Sequence, residues 1–365
     1  MREFLASLMG RNPGLWPWSP GLRPVLWGLI WGMVLSPAWG APPKRSVGPA
    51  LGPGWPRPAP LRPVSTYSII AIDPEANEMG VAVQSHWFSV GSVVTWAEPG
   101  VGVVATQSLV DVSYGPLGLD LMRGGKTAVE ALQALLRADE GREVRQVAML
   151  DVRGNVATHT GSRCIPEAGH RVGQNYSVQA NLMLRATVWP AMARAFETTK
   201  GDLAERLMAA LEAAEAEGGD LRGRQSAAIR IVRVRPEGPW WRNVVMELRV
   251  EDHPAPLKEL RRLIQLHRAY AHMNAGDAAL EKNDVATAMR EYAAAEALAP
   301  DNLEMRFWHA VGLIGLGRLD EALPILVPVL RQDRRWMVLL ERLPKVGLLP
   351  PDPAILERVR TALKK

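Results

Sequence analysis

Short apolar runs separated by turn residues make up the chain between residues 67 and 105. Tyr67–Ile72 and Met79–Gln84 are two such runs, and Asp73–Asn77 between them is rich in turn-forming residues. The pattern therefore predicts a β-hairpin. Val90–Trp96 and Val101–Ala105 predict a second pair of strands.

Helical and strand-like stretches then follow one another in blocks. Thr127 is a candidate N-cap, and Glu130 stands three residues later, as in a capping box. The predicted elements are helices Gly115–Arg123 and Lys126–Arg137, strands Gln146–Asp151, Val156–Thr160 and Tyr176–Leu182, helices Trp189–Phe196 and Asp202–Ala216, and strands Ala227–Val234 and Val244–Val250. Blocks of like elements favour an α+β fold of stacked layers over a doubly wound parallel sheet.

The chain after Pro254 is helical and rich in alanine. Leu257–Gln265 predicts a connecting helix within residues 254–268, and a period of 34 residues begins near Ala269. The small, aromatic and proline positions of its first unit are Gly276, Ala288, Tyr292, Ala295 and Pro300. Residues 269–343 therefore resemble tetratricopeptide (TPR) repeats, with residues 344–365 as a tail containing a helix.

The TPR-like module is short for a repeat array. Arg334 replaces the terminal proline in the second unit, and a solenoid of two repeats leaves unfinished ends. We therefore expect the module to pack against the central domain or against a protein partner. Repeats of this type bind peptides or proteins. Trp308 and Trp336 either line a groove or fill the core.

The first forty residues have the order of a signal peptide. Arg11 and Arg23 precede an uncharged run, Val25–Leu35, and Ser36–Ala41 after it has the small-x-small pattern of a cleavage site. We expect cleavage after Gly40, with an uncleaved anchor as the alternative, and an exported protein that is periplasmic or extracellular. The Pro/Gly-rich residues 41–64 predict an extended linker.

Composition narrows the classes of function. The 365 residues suit two domains, and 47% of them are hydrophobic. The net charge of +5 comes from dispersed arginines without interleaved aromatics, so we expect no nucleic acid partner. His86, His159 and His170 are too scattered for a metal site, and Cys164, the only cysteine, is either a nucleophile or a small buried residue.

Many ordered segments of the central domain resemble a bacterial family named domain of unknown function 1028, which is assigned to the N-terminal-nucleophile (Ntn) hydrolase superfamily. The resemblance spans Thr66 to about Asp252, within a domain of residues 65–253, and implies a four-layer αββα sandwich. The segments that carry it are Thr66-Tyr67-Ser68-Ile69, Asp73-Pro74-Glu75, Gly80 to Phe88, Val90 to Val94, Pro99 to Gln107, Tyr114-Gly115-Pro116, Thr160-Gly161, Ala168-Gly169-His170, Ser177 to Met183, Gly219-Asp220 and Gly223 to Ala228.

The resemblance implies that Thr66, which opens the first strand, is the nucleophile. An Ntn hydrolase uses the free α-amino group of that residue as its base, and this group titrates near neutrality. Signal cleavage alone would leave residues 41–65 ahead of Thr66. The mechanism therefore requires a second cut between Ser65 and Thr66; otherwise Thr66 is an ordinary residue at a strand start.

Polar residues at strand ends are the other site candidates. Asn181 is our candidate for oxyanion stabilisation, and Ser85 and His86 are further catalytic candidates. The candidates for substrate binding are Gln84, Gln107, Gln179, Arg224 and Gln225. Each has a plain alternative, a polar side chain that closes a turn or faces solvent.

Three functions follow from these candidates. The first is an amidohydrolase that cleaves a small amide or peptide through Thr66 and needs no cofactor. The second is an inactive cell-envelope binding protein that uses its cleft and its TPR-like helices. The third is hydrolysis through Ser85 without processing. Whether the chain forms a homo-oligomer stays open.

Overall fold

The computed structural model describes residue 64 and residues 66–365, which belong to one compact unit. The predicted signal peptide and the predicted linker up to residue 63 lie outside the described residues. In the part of the chain that the structure describes, no helix is long and apolar enough to cross a membrane.

The central domain, up to residue 250, alternates between blocks of strands and pairs of helices. In chain order its elements are β1 (Thr66–Asp73), β2 (Glu78–Ser85), β3 (Thr95–Glu98), β4 (Gly102–Ser108), α1 (Tyr114–Arg123), α2 (Ala128–Ala138), β5 (Arg145–Asp151), β6 (Val156–Thr160), β7 (Gly169–Gly173), β8 (Tyr176–Ala180), α3 (Val188–Thr198), α4 (Leu203–Ala216), β9 (Ser226–Arg233) and β10 (Val244–Val250). The predicted α+β class is confirmed.

The strands form two antiparallel sheets. One sheet has six strands in the order β10-β9-β2-β1-β8-β7, and the other has four in the order β3-β4-β5-β6. β1 and β2 form the predicted hairpin, in which Thr66 pairs with Ser85 and Tyr67 with Gln84. β1 is therefore an inner strand, and Thr66 lies at the end of it.

Alternation along β1 separates two apolar layers. Ile70 and its neighbours pack with Val103 of β4 and Leu150 of β5, between the two sheets. Tyr67 and Ile69 face the other way and pack with residues of α3 and α4. α1 and α2 cover the outer face of the four-stranded sheet. The packing order is thus helices, sheet, sheet, helices.

Two local predictions need correction. Val90–Trp96 is not one strand, because Gly91–Val94 forms a helical turn before β3 begins at Thr95. Strand β7 was missed, since its sequence GHRVG lacks apolar alternation and three of its five residues are exposed. By contrast, the Thr127 capping box is confirmed, with hydrogen bonds in both directions to Glu130.

The chain ends in a helical region. Its elements are α5 (Pro256–Glu281), α6 (Val285–Leu298), α7 (Leu303–Gly315), α8 (Leu319–Gln332), α9 (Arg335–Arg342) and α10 (Pro353–Lys364). The connecting helix predicted at Leu257–Gln265 and the start of the predicted repeat module near Ala269 lie in one continuous helix, α5. Gly276 of α5 lies against the ring of Tyr292 in α6, so that the two helices approach closely.

Candidate functional site

Thr66 lies in the layer between the two sheets. Its side chain is fully buried, and its Oγ1 donates a hydrogen bond to the carbonyl oxygen of Val64 at 2.7 Å. The same Oγ1 lies 3.2 Å from Oγ of Ser85 on the neighbouring strand. Two of the predicted catalytic residues, Thr66 and Ser85, are therefore in direct contact.

Val64 covers this end of the site. It is fully buried, and it pairs with Ser108 at the end of β4 through two backbone hydrogen bonds of 2.7 and 3.0 Å. The residue two positions ahead of Thr66 is thus bonded both to the opposite sheet and to the Thr66 hydroxyl.

A network of buried carboxamides adjoins Thr66. Gln107 donates through Nε2 to the Thr66 carbonyl oxygen at 3.2 Å and to Oε1 of Gln146 at 2.7 Å. Ser68 donates to Oε1 of Gln107, and Gln179 donates to Ser68, each at 2.6 Å. These side chains connect the two sheets, and all of them are fully buried.

The orientation of Asn181 follows from Gln146. Nε2 of Gln146 donates to the backbone carbonyl oxygens of Ala180 and Gly169, at 2.9 and 3.2 Å, which fixes Oε1 as the acceptor. Nδ2 of Asn181 donates to that Oε1 at 2.9 Å, and Oδ1 of Asn181 is buried without a partner among the described residues. The unused atom is an acceptor, which suits an N–H group better than the oxyanion expected from the sequence.

Gln84 and Arg224 lie on the opposite face of the six-stranded sheet from Thr66. Gln84 pairs with Tyr67, so alternation directs it to the helix side, where no residue that the structure describes bonds to either polar atom of its buried carboxamide. Arg224 pairs with Glu215, which also accepts a 2.7 Å hydrogen bond from Tyr67. Burial and the Glu215 carboxylate raise the pKa of Tyr67 well above its ordinary value.

His86 and Gln225 belong to loops at the same end of the sheet. His86 is exposed, and its backbone N–H donates to Asp220. Gln225 is half-buried; its backbone N–H donates to the Ser85 carbonyl oxygen, and its side chain donates to Asp252. Of the predicted site residues, the structure thus brings together Thr66, Ser85, Gln107, Gln179 and Asn181.

A surface pocket of about 590 Å³ lies beside this buried network. Its wall includes Thr160, which accepts from Gln146 at 2.9 Å and contacts Nδ1 of His170 at 2.8 Å. Cys164 is also in the wall, 3.5 Å from the Ser108 hydroxyl. Burial raises the pKa of the Cys164 thiol and lowers the pKa of His170, which favours the neutral form of both groups.

Sequence reasoning missed Gln146 and Ser68. Each is a polar residue inside a buried strand, and that signal could have found both of them. The described residues contain no cluster of three or more His, Cys, Asp or Glu side chains arranged to hold a metal ion.

The fold and the site define a mixed α+β protein with two antiparallel sheets, a buried polar site between them, and a helical C-terminal region. The model of a family of unknown function, DUF1028, matches residues 66–260, and the chain belongs to that family. A crystal structure of a DUF1028 protein from Silicibacter pomeroyi is 30% identical, covering 55% of this chain and 88% of its own, with a TM-score of 0.49. No curated protein matches the chain.

Proposed function

We propose that the chain is an exported Ntn-type amidohydrolase that cleaves a small amide or peptide with Thr66 as nucleophile. The observation that carries the proposal is the position of Thr66. It opens an inner strand, and its hydroxyl lies between two sheets, next to Ser85 and the carboxamide network. The order helices, sheet, sheet, helices is the layering expected of the Ntn superfamily.

The chemistry follows from a free N-terminus at Thr66. Its α-amine, with a pKa of about 7.7–8.0, would accept the hydroxyl proton as Oγ1 attacks the substrate carbonyl carbon, and would return it to the leaving amine. Oδ1 of Asn181 would accept a hydrogen bond from this amine or from a substrate N–H, because it is a buried acceptor that no described residue bonds.

The uncut chain is closed at this site. The Val64 carbonyl oxygen accepts a hydrogen bond from the Thr66 hydroxyl, and Val64 pairs with Ser108, so the hydroxyl is both hydrogen-bonded and buried. A cut between Ser65 and Thr66, followed by release of Val64, would free the hydroxyl and create the amine. It would also empty space next to Ser108 and Cys164, which leads towards the pocket at Thr160 and His170.

The test is the N-terminus of the mature protein purified from its native host. Edman sequencing should show Thr66 first, and periodate, which cleaves a 1,2-amino alcohol, should convert that N-terminus to an aldehyde detectable by mass. Thr66→Ser should retain hydrolysis in a panel of aminoacyl and acyl p-nitroanilides, and the isosteric Thr66→Val should abolish it.

The alternative function is that of a binding protein. While Val64 covers the Thr66 hydroxyl, the site is closed to substrate, which favours this alternative. A mature chain that begins at Ala41 and hydrolyses nothing would support this function and contradict the first. If that chain hydrolyses the anilides, Ser85→Ala tests Ser85 as the nucleophile. Under either function, we propose that the TPR-like helices hold a protein partner.

A further inference from the structure

Two adjacent tryptophans protrude from the loop between β9 and β10. Trp240 and Trp241 are 67% and 64% exposed, and their ring planes are nearly perpendicular at 84°. Tryptophan is mostly buried in soluble proteins, so two neighbouring exposed rings point to a binding surface. Perpendicular rings do not form one flat platform on which a sugar could stack.

Buried hydrogen bonds fix the shape of this loop. Asn243, only 3% exposed, accepts from the Glu237 N–H at 2.9 Å and donates to the carbonyl oxygens of Glu237 and Pro239. Asn77, in the turn between β1 and β2, accepts from the Arg235 N–H at 2.8 Å and donates to the Arg235 carbonyl oxygen at 3.1 Å. These hydrogen bonds hold the loop in a conformation that leaves both tryptophans exposed.

The base of the loop forms a basic pocket of about 520 Å³. Arg233, Arg235 and Arg242 line it, and Glu237 is its only acidic lining residue. Arg233 is paired with Glu78 at 3.1 Å. The guanidinium groups of Arg235 and Arg242 make no hydrogen bond or ion pair with any described residue, so both are available to an anion.

We propose that this loop docks the protein onto an anionic phospholipid surface. Indole rings favour the boundary between lipid headgroups and acyl chains, and arginines beside them bind lipid phosphate. The basic pocket would hold a headgroup phosphate while Trp240 and Trp241 enter the interface. The loop follows the Arg233 end of β9, whereas Ser226 at the other end pairs with Ser85. Docking therefore leaves the Thr66 end of the sheet facing away from the lipid, and it does not depend on the proposed hydrolase activity.

The experiment measures partition of the purified mature protein into phosphatidylcholine vesicles with and without phosphatidylglycerol. We expect tighter binding to the anionic vesicles, weakened by salt. The double variant Arg235→Gln/Arg242→Gln should weaken binding to anionic vesicles by about thirtyfold, from the usual contribution of an arginine near such a surface. Trp240→Ser/Trp241→Ser should weaken binding to both kinds of vesicle.

Matched controls are exposed residues elsewhere on the protein. Phe88→Ser removes another exposed aromatic ring, 63% exposed, and Arg185→Gln removes another exposed arginine whose side chain has no partner in the described part of the chain. Both should leave partition unchanged. Equal partition of the wild type and the tryptophan variant would overturn the proposal. A wild type that binds neither kind of vesicle would also overturn it. So would self-association through the loop, which would appear as a change in sedimentation coefficient on Trp240→Ser.

Discussion

Gln146→Met tests whether the carboxamide network is satisfied as the structure shows. Methionine has nearly the same length as glutamine, so the change removes hydrogen bonds and creates little empty volume. Gln107 keeps its bond to the Thr66 carbonyl oxygen, and Thr160 keeps its contact with His170. Nδ2 of Asn181 loses its only described partner.

The magnitude follows from the groups left behind. A buried polar group without a partner costs about 1–3 kcal/mol. The Asn181 side-chain N–H group loses its described acceptor, and the carbonyl oxygens of Gly169 and Ala180 each lose one donor. We therefore expect Gln146→Met to lower the free energy of unfolding by about 2–5 kcal/mol.

Urea unfolding, followed by circular dichroism, measures this loss. The matched control is Gln225→Met, because the Gln225 side chain lies at a half-buried position and makes one hydrogen bond to the described residues, with Asp252. We expect this control to remain within about 0.5 kcal/mol of the wild type. A Gln146→Met protein within about 1 kcal/mol of the wild type would refute the network.

Two further predictions concern packing and pH. A Cβ at Gly276 would lie 2.5 Å from Cε1 of the buried Tyr292 ring, so Gly276→Ala should destabilise the protein by about 1–3 kcal/mol in thermal or urea unfolding. Gly315→Ala, where nothing lies within 4 Å, should stabilise it by up to about 1 kcal/mol, and equal effects at the two sites would contradict this packing. Burial acts to raise the pKa of Asp139, but bonds from Arg145, the Gly141 N–H and Tyr114 outweigh it and hold the pKa below its ordinary value. The resulting stability is present above about pH 4 and is lost as pH falls through the folded-state pKa, so Asp139→Asn should flatten the part of the wild-type decline that lies below about pH 4.

Elements with strong local signals could be predicted from the sequence. The β1–β2 hairpin follows from two apolar runs around a turn, and the start of α2 follows from the Thr127 capping box. Strand β7 could not be predicted in this way, although it forms a hairpin with the adjacent β8, because its sequence GHRVG has no apolar alternation and its middle three residues are exposed.

The residues of the candidate site also divide into those that the sequence pattern predicts and those that it does not. Gln179 and Asn181 share a face through the two-residue period that the sequence reveals, whereas their place beside Thr66 follows from the pairing of β1 with β8. The orientation of the Gln84 side chain depends on the pairing of β1 with β2. Its register opposite Tyr67 shows that it points towards the helices. The partners of Gln146 lie on strands distant in sequence, so tertiary structure alone reveals them.

The unbroken course of α5 limits how this protein can be divided. The helix spans 26 residues, or about 39 Å, and contributes Leu260 and Ile264 to the core against the six-stranded sheet and Met273 to the core of the helical region. A division at residue 268 would split one helix between two fragments, with Leu260 and Ile264 on the first and Met273 on the second. Recombination, in evolution or in the laboratory, should therefore succeed only where it keeps residues 256–281 with both of their neighbours.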